Sequence, residues 1–265
     1  MSRPALQLLL AASGAREPGD LADDDLVELY RYPEDGRRRL RTNFVSSLDG
    51  SVQGLEGKSG GLGTATDAYV FALHRALADA VVVGASTVRR EGYRSIDLQP
   101  WQSDVREQLG LSPFPALVII SGSARLDPAI AQPGQGSGGP VMIITTSGKP
   151  AADLVRLRDA GMEVVESGRT IDLEVALDLL TQRGWSRLLC EGGPGLHRNL
   201  LAAGLVDELS LTLAPVVVGG QGLRSTAGAA LAATVGFDLA FALLGADQTL
   251  FTSYRARRPS ILAST

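Results

Sequence analysis

Cysteine is nearly absent from this 265-residue chain. Cys190 stands alone, which excludes an internal disulfide framework and any zinc site built from paired cysteines. His74 and His197 are the only histidines, too few for a His-rich metal set, so no metal is expected. Lysine occurs only at Lys58 and Lys149, leaving arginine to carry nearly all of the positive charge. Aromatic residues make up 5% of the chain, and the formal charge is −4 with both signs interspersed. Both features argue against a nucleic-acid surface, which needs basic side chains interleaved with stacking rings. No apolar run approaches the roughly 18 residues of a membrane span. The run Ala5 to Ala12, after Arg3, has the outline of a short secretory leader, but its charge is thin. The lone thiol suits a reducing compartment, and the cytoplasm is the expected location.

Hydrophobic residues make up 45% of the chain, enough for a sizeable core in one large domain or two small ones. The most informative stretch is Ser186 to Ala203, SRLLCEGGPGLHRNLLAA. Arg187 to Cys190 reads as a short buried strand, and Glu191-Gly192-Gly193-Pro194-Gly195 leads into a helical pattern. Glycines there let a ligand approach the backbone, and the first helical turn offers unpaired N–H groups to an anion such as phosphate. Glu191 is then either a ligand-facing carboxylate at a strand's carboxyl end or a cap for nearby N–H groups.

Along the chain, Leu26 to Tyr30 suggests a short helix capped by Asp23 or Asp24, and Arg37-Arg38-Arg39 suggests a solvated face. Leu40 to Ser46 has strand composition, and Ser47-Leu48-Asp49-Gly50 ends it as a turn. Thr64 or Thr66 caps a helix running to about Ala78, on which His74 is expected at the surface or boundary. Strands are expected at Ala80 to Val83, Leu117 to Ile120, Val141 to Thr145 and Glu163 to Val165, and helices at Asp153 to Ala160 and Leu173 to Arg183. Such alternation implies a mostly parallel sheet with helices on both faces. From Glu208 onward the helices stop; Glu208 to Ala214, Phe237 to Leu244 and Thr249 to Tyr254 are expected as antiparallel additions at the sheet edge. The apolar Val216-Val217-Val218 is a candidate for pairing with a second subunit.

Taken in order, four stretches resemble the dihydrofolate-reductase-like pyrimidine reductases of riboflavin biosynthesis. They are Ser47-Leu48-Asp49-Gly50, Val83-Gly84-Ala85-Ser86-Thr87-Val88, Glu191-Gly192-Gly193-Pro194 and Ala214-Pro215-Val216-Val217-Val218-Gly219-Gly220. The resemblance implies a three-layer α/β fold with a mixed, mostly parallel sheet, an NADPH cofactor and a homodimer. It divides the chain into an extension, 1–39, a reductase domain, 40–256, and a tail, 257–265. It implies cofactor contacts from Gly84, Thr87, Ile119, Ile120, Ser121 and Gly122, and from Gly192, Gly193, Pro194, Gly195 and Leu196. On the substrate side it implies Asn43, Thr64, Arg75 and Arg94, with Glu191 and Glu91 as the titratable, catalytic pair. A carboxylic acid kept protonated by burial would then donate the proton that accompanies hydride transfer.

The implied substrate is 5-amino-6-(5-phosphoribosylamino)uracil. Asn43 stands where members of the family carry Lys, Glu91 where they carry Asp, and Gly92-Tyr93-Arg94-Ser95 departs from their pattern. Reduction of dihydrofolate or another pteridine on the same fold, and an inactive NADPH-binding sensor, are therefore kept as alternatives. The zinc deaminase signature that accompanies some members does not occur in this sequence.

Overall fold

The structure is a computed structural model that describes residues 4–12 and 17–257. The chain begins with β1 (Leu6–Ala11), the short β2 (Gly19–Asp20) and α1 (Asp23–Tyr30), followed by β3 (Arg39–Ser46) and α2 (Ala65–Leu77). Next come β4 (Ala80–Gly84), α3 (Ala85–Glu91), α4 (Pro100–Gln108), β5 (Ala116–Ser121), β6 (Val141–Thr145) and α5 (Ala151–Asp159). Then follow β7 (Glu163–Glu166), α6 (Leu173–Gln182), β8 (Arg187–Cys190) and α7 (Pro194–Ala202), and last β9 (Glu208–Leu213), β10 (Phe237–Gly245) and β11 (Leu250–Ala256).

All these strands join one sheet in the order β2-β1-β10-β11-β9-β3-β8-β4-β5-β6-β7. Every pairing from β9 through β3 to β7 is parallel, as crossover helices require. Strands β4, β5 and β6 are almost wholly apolar because both faces are covered. Val81, Val83, Leu117 and Ile119 pack with Val88, Leu154 and Leu157 on one face. Val82, Val118 and Ile144 pack with Leu177, Leu180 and Leu200 on the other. Each such side chain contributes about 1.5–3 kcal/mol by leaving water. The carboxyl ends of β3, β4, β5 and β8 are thereby held as a fixed edge. This is the mixed, mostly parallel α/β sheet with helices on both faces expected from the sequence.

Several local expectations are corrected. β9 is internal, parallel to β3 and antiparallel to β11, and β1 from the other end of the chain pairs with β10 and moves the edge outward. The leader-like run is that strand: Leu6 and Leu8 point into the core while Leu9 and Leu10 face out. The tail residues 258–265 lie outside the described residues. Ala22, not Asp23 or Asp24, occupies the N-cap of α1, and Asp25 accepts its N–H at 2.8 Å. Arg38 pairs with Asp178 and Arg39 with Asp35, so only Arg37 of that run is fully solvated.

His74 is completely buried rather than at the surface. Arg41 can only donate, so His74 Nδ1 accepts from it and the neutral ring carries its proton on Nε2, 3.0 Å from Ser210 Oγ. Burial, then the Arg41 charge, holds this imidazole well below its ordinary pKa. Arg41 is in turn paired with Glu208 at 2.7 Å.

Candidate active site

Two clefts open along the carboxyl edge of the parallel strands. The first, of about 570 Å³, lies among β3, α2, the end of α3 and the turn after β8. Asn43, Thr64, Arg75, Glu91, Arg94, Glu191, Thr87, Gly193 and Pro194 all line it. The structure thus brings every expected substrate-side residue to one place.

Arg75 and Glu191 form its centre. Arg75 Nε donates to Glu191 Oε1 and Nη2 to Oε2, both at 2.8 Å, and the Tyr93 hydroxyl donates to Oε2 at 2.6 Å. The Glu191 side chain is 2% exposed and that of Arg75 22%, so the pair sits at the cleft floor with only the arginine reaching ligand space. Burial disfavours the Arg75 charge, but the facing carboxylate outweighs it and holds the guanidinium above its ordinary pKa. Burial and then the Glu191 charge hold the Tyr93 phenol well above its own. Glu191 receives three donors and offers none. That arrangement is an acceptor's and fixes the orientation of the arginine. Phe71 lies under the guanidinium at 4.4 Å, which leaves the Nη1 edge as the group to meet a ligand.

The other expected residues occupy the rim. Thr64 caps α2, accepting the Asp67 N–H at 3.1 Å, with its hydroxyl 3.2 Å from that of Thr249. Glu91 accepts the Ser59 N–H at 3.3 Å and so tethers the glycine-rich loop to the end of α3. Arg94 is exposed and donates to the Ala129 carbonyl at 3.0 Å.

Sequence reasoning missed Asp67, Arg90 and the part played by Tyr93. Asp67 follows the Thr64 cap by three positions and lines the same cleft. Burial pushes its carboxyl up to about 6; a hydrogen bond with Thr212 works against the rise, and the Asp247 charge adds to it. An acid in the first turn after a capping threonine is the signal that could have marked it. Arg90, three positions after Thr87 on α3, was findable by helical spacing.

The second cleft, of about 560 Å³, adjoins the turns after β4, β5 and β8. Gly84, Ile120, Ser121, Gly122 and Leu196 line it, whereas Ile119 is wholly inside the core and can offer no side chain to a ligand. Gly195 is exposed at the start of α7. Gly192 is packed under Phe44 with a φ of +88°, a conformation that favours glycine. A cis peptide joins it to Gly193.

Gly84 N–H donates to the Gly192 carbonyl at 2.9 Å, which locks the two turns together. A Cβ on Gly193 would come within 2.3 Å of Thr87 Oγ1. That glycine is required by the contact between turns. A Cβ at Gly122 would meet nothing within 4 Å, so its backbone stands open to the cleft. Apolar walls from Ile120, Ile171, Leu173 and Leu196, bare backbone at Gly122 and a cationic Arg89 fit the nucleoside end of a dinucleotide.

Residues 38–248 match the family described as the RibD C-terminal domain. The chain is 30% identical, over 187 residues, to the 2,5-diamino-6-ribosylamino-4(3H)-pyrimidinone 5′-phosphate reductase of Methanothermobacter thermautotrophicus, an overlap of 69% of this chain and 80% of that one. Among solved structures, a pyrimidine reductase-like protein from Corynebacterium diphtheriae superposes with a TM-score of 0.69 at 28% identity, covering 84% of this chain and 93% of the other. RibD of Acinetobacter baumannii shares the fold, with a TM-score of 0.65 at 22% identity over 84% of this chain and 59% of its own.

Proposed function

The chain belongs to the RibD C-terminal domain family, and we propose that it is an NADPH-dependent reductase of a ribosylaminopyrimidine 5′-phosphate in riboflavin biosynthesis. The observation that carries this reading is the Arg75–Glu191–Tyr93 cluster set in a cleft beside a second, nucleoside-sized cleft. The reaction adds one hydride and one proton, the hydride to C1′ of the ribosylamino group, and opens the sugar to a ribityl chain.

NADPH, when bound, supplies the hydride. In this chain the turns at Gly84 to Thr87, Gly122 and Gly193 to Leu196 would hold it. The Arg75 Nη1 edge, fixed by Glu191 and Tyr93, presents two donors to an acceptor on the pyrimidine. Arg90 and Arg94 on the rim supply cations for the substrate phosphate, the second in the part the family's own arginine would play. Asn43 adds a neutral amide where the family pattern expects a lysine. Asp67, the cleft carboxyl poised near 6, is assigned the proton in place of Glu191. The exposed Val216 and Val217 are assigned to a homodimer contact, which sedimentation of the purified protein checks.

The function test is an assay of NADPH oxidation with three substrates: the diaminopyrimidinone ribosylamine phosphate, 5-amino-6-(5-phosphoribosylamino)uracil and dihydrofolate. Turnover of either ribosylamine supports the proposal. Oxidation with dihydrofolate alone rejects it in favour of a pteridine reductase, and tight NADPH binding without turnover of any of them identifies a sensor.

A further inference from the structure

NADPH and NADH differ only in the phosphate on the adenosine 2′-oxygen, so a protein tells them apart by what it offers that dianion. The second cleft contains two charged residues in its wall, Arg89 and Asp172. The Asp172 carboxylate is occupied in capping α6, accepting the N–H groups of Glu174 and Val175 at 2.9 and 3.2 Å. The Ser121 hydroxyl is buried and accepts the Ala124 N–H at 3.1 Å, whereas that of Ser123 is exposed and accepts the Arg125 N–H at 3.4 Å with its own O–H left to donate. Arg89 differs from Asp172 and Ser121. It is exposed, and its guanidinium makes a single long hydrogen bond, from Nη1 to the Arg125 carbonyl at 3.3 Å, which holds the head over the end of β5 while leaving most donors unengaged.

Helical geometry explains how Arg89 reaches this cleft. It lies four positions after Ala85, so the two share a face of α3, and both line the second cleft. Arg90, turned by about 100°, lines the first cleft instead. Two adjacent arginines thus face two clefts, one each.

Resting on the cofactor reading above, we propose that Arg89 is the specificity-determining residue for NADPH over NADH, receiving the 2′-phosphate beside the open backbone of Gly122 and the hydroxyl of Ser123. A planar guanidinium suits a phosphate better than an ammonium would, because two parallel N–H groups match two phosphate oxygens. The adenine is left the apolar side of the cleft.

The test measures dissociation constants by tryptophan fluorescence or calorimetry, for NADPH and NADH and for the fragments 2′,5′-ADP and ADP. Wild type, Arg89→Ala, Arg89→Lys and, as a neighbour control, Arg90→Ala are compared, with melting temperatures to verify folding. The expected result is a loss of NADPH and 2′,5′-ADP affinity of tenfold or more in Arg89→Ala, NADH and ADP within twofold of wild type, partial recovery in Arg89→Lys, and an unchanged NADPH-to-NADH ratio in Arg90→Ala. NADPH binding that survives with its preference intact in Arg89→Ala overturns this assignment and leaves the reductase reading standing. Equal losses for both dinucleotides also overturn it. Wild-type protein that binds neither dinucleotide, or prefers NADH, overturns it together with the cofactor reading.

Discussion

Arg75 and Glu191, 116 positions apart, meet in a two-pronged ion pair with both contacts at 2.8 Å. Neither partner is replaceable alone. Arg75→Leu strands a carboxylate whose side chain is 2% exposed, and loss of the partner of such a buried charge costs about 3–5 kcal/mol. Tyr93→Phe removes one donor of three and should cost about 1–2 kcal/mol. Thermal melts should therefore rank wild type above Tyr93→Phe and Tyr93→Phe above Arg75→Leu; the reverse order would mean the ion pair is not what holds the cleft floor.

Glu191→Gln separates the catalytic reading from the structural one. The amide keeps the shape but presents N–H groups toward Arg75, so the guanidinium edge is misplaced. Turnover with the ribosylamine should fall by a factor of about 100, while NADPH affinity stays within about twofold, since the second cleft is untouched. Parallel losses in steady-state kinetics and cofactor titration would show that Glu191 supports both clefts.

Asp67 gives a pH signature. Its folded value of about 6 lies above the ordinary 3.8, so between those values the folded state binds the extra proton and stability falls as pH rises. Asp67→Asn should therefore stabilise the protein at pH 8 relative to wild type, by about 1–3 kcal/mol at most. Below pH 4 the difference should vanish. Denaturant titrations at the two pH values check this, and a pH profile of kcat/KM should lose its inflection near 6 in the variant.

His74 acts with the opposite sign. Its folded pKa is depressed below the ordinary 6.5, so the unfolded chain takes up the proton first and stability is lost as pH falls through 6.5. Replacement by Asn removes this dependence. The stability gap between wild type and His74→Asn, measured by urea unfolding, should narrow from pH 8 to pH 5.

Gly193 is constrained by Thr87, not by a ligand alone. Gly193→Ala places its Cβ against the Thr87 hydroxyl and should lower both stability and NADPH affinity. In a Thr87→Gly background the stability cost should shrink. If the double variant melts no better than the additive expectation, the two turns are not in contact.

The sequence made the parallel half of the fold legible because its signals there are strong. Apolar runs such as Ala80 to Val83 have no other stable home than a strand covered on both faces, and Gly84 and Gly192 mark where each turns. The C-terminal strands were readable as strands but not in place, since nothing local to Glu208–Leu213 tells which neighbour it pairs with. Its alternation even points the unexpected way: Ser210 and Thr212 are the buried residues, under His74 and Asp67 of α2, while the leucines are only partly covered. Helix α4 escaped notice for a related reason. Its buried side chains are Gln102 and Arg106, which donate to the carbonyls of Ala72, Ala76 and Ala78, and its apolar stripe is only Trp101, Val105 and the following Leu109, too short a signal to stand out. Of the site, the motif residues were legible, but Asp67 acquires its character only from burial against Thr212 and Asp247, which the linear sequence does not display.

The most direct measurement is the rate of NADPH oxidation by the purified protein when the diaminopyrimidinone ribosylamine phosphate is added, with product followed by mass spectrometry. Stoichiometric oxidation, with the product two hydrogens heavier, is the expected result. An unchanged NADPH signal at saturating concentrations of both compounds would contradict the assignment of this cleft to pyrimidine reduction.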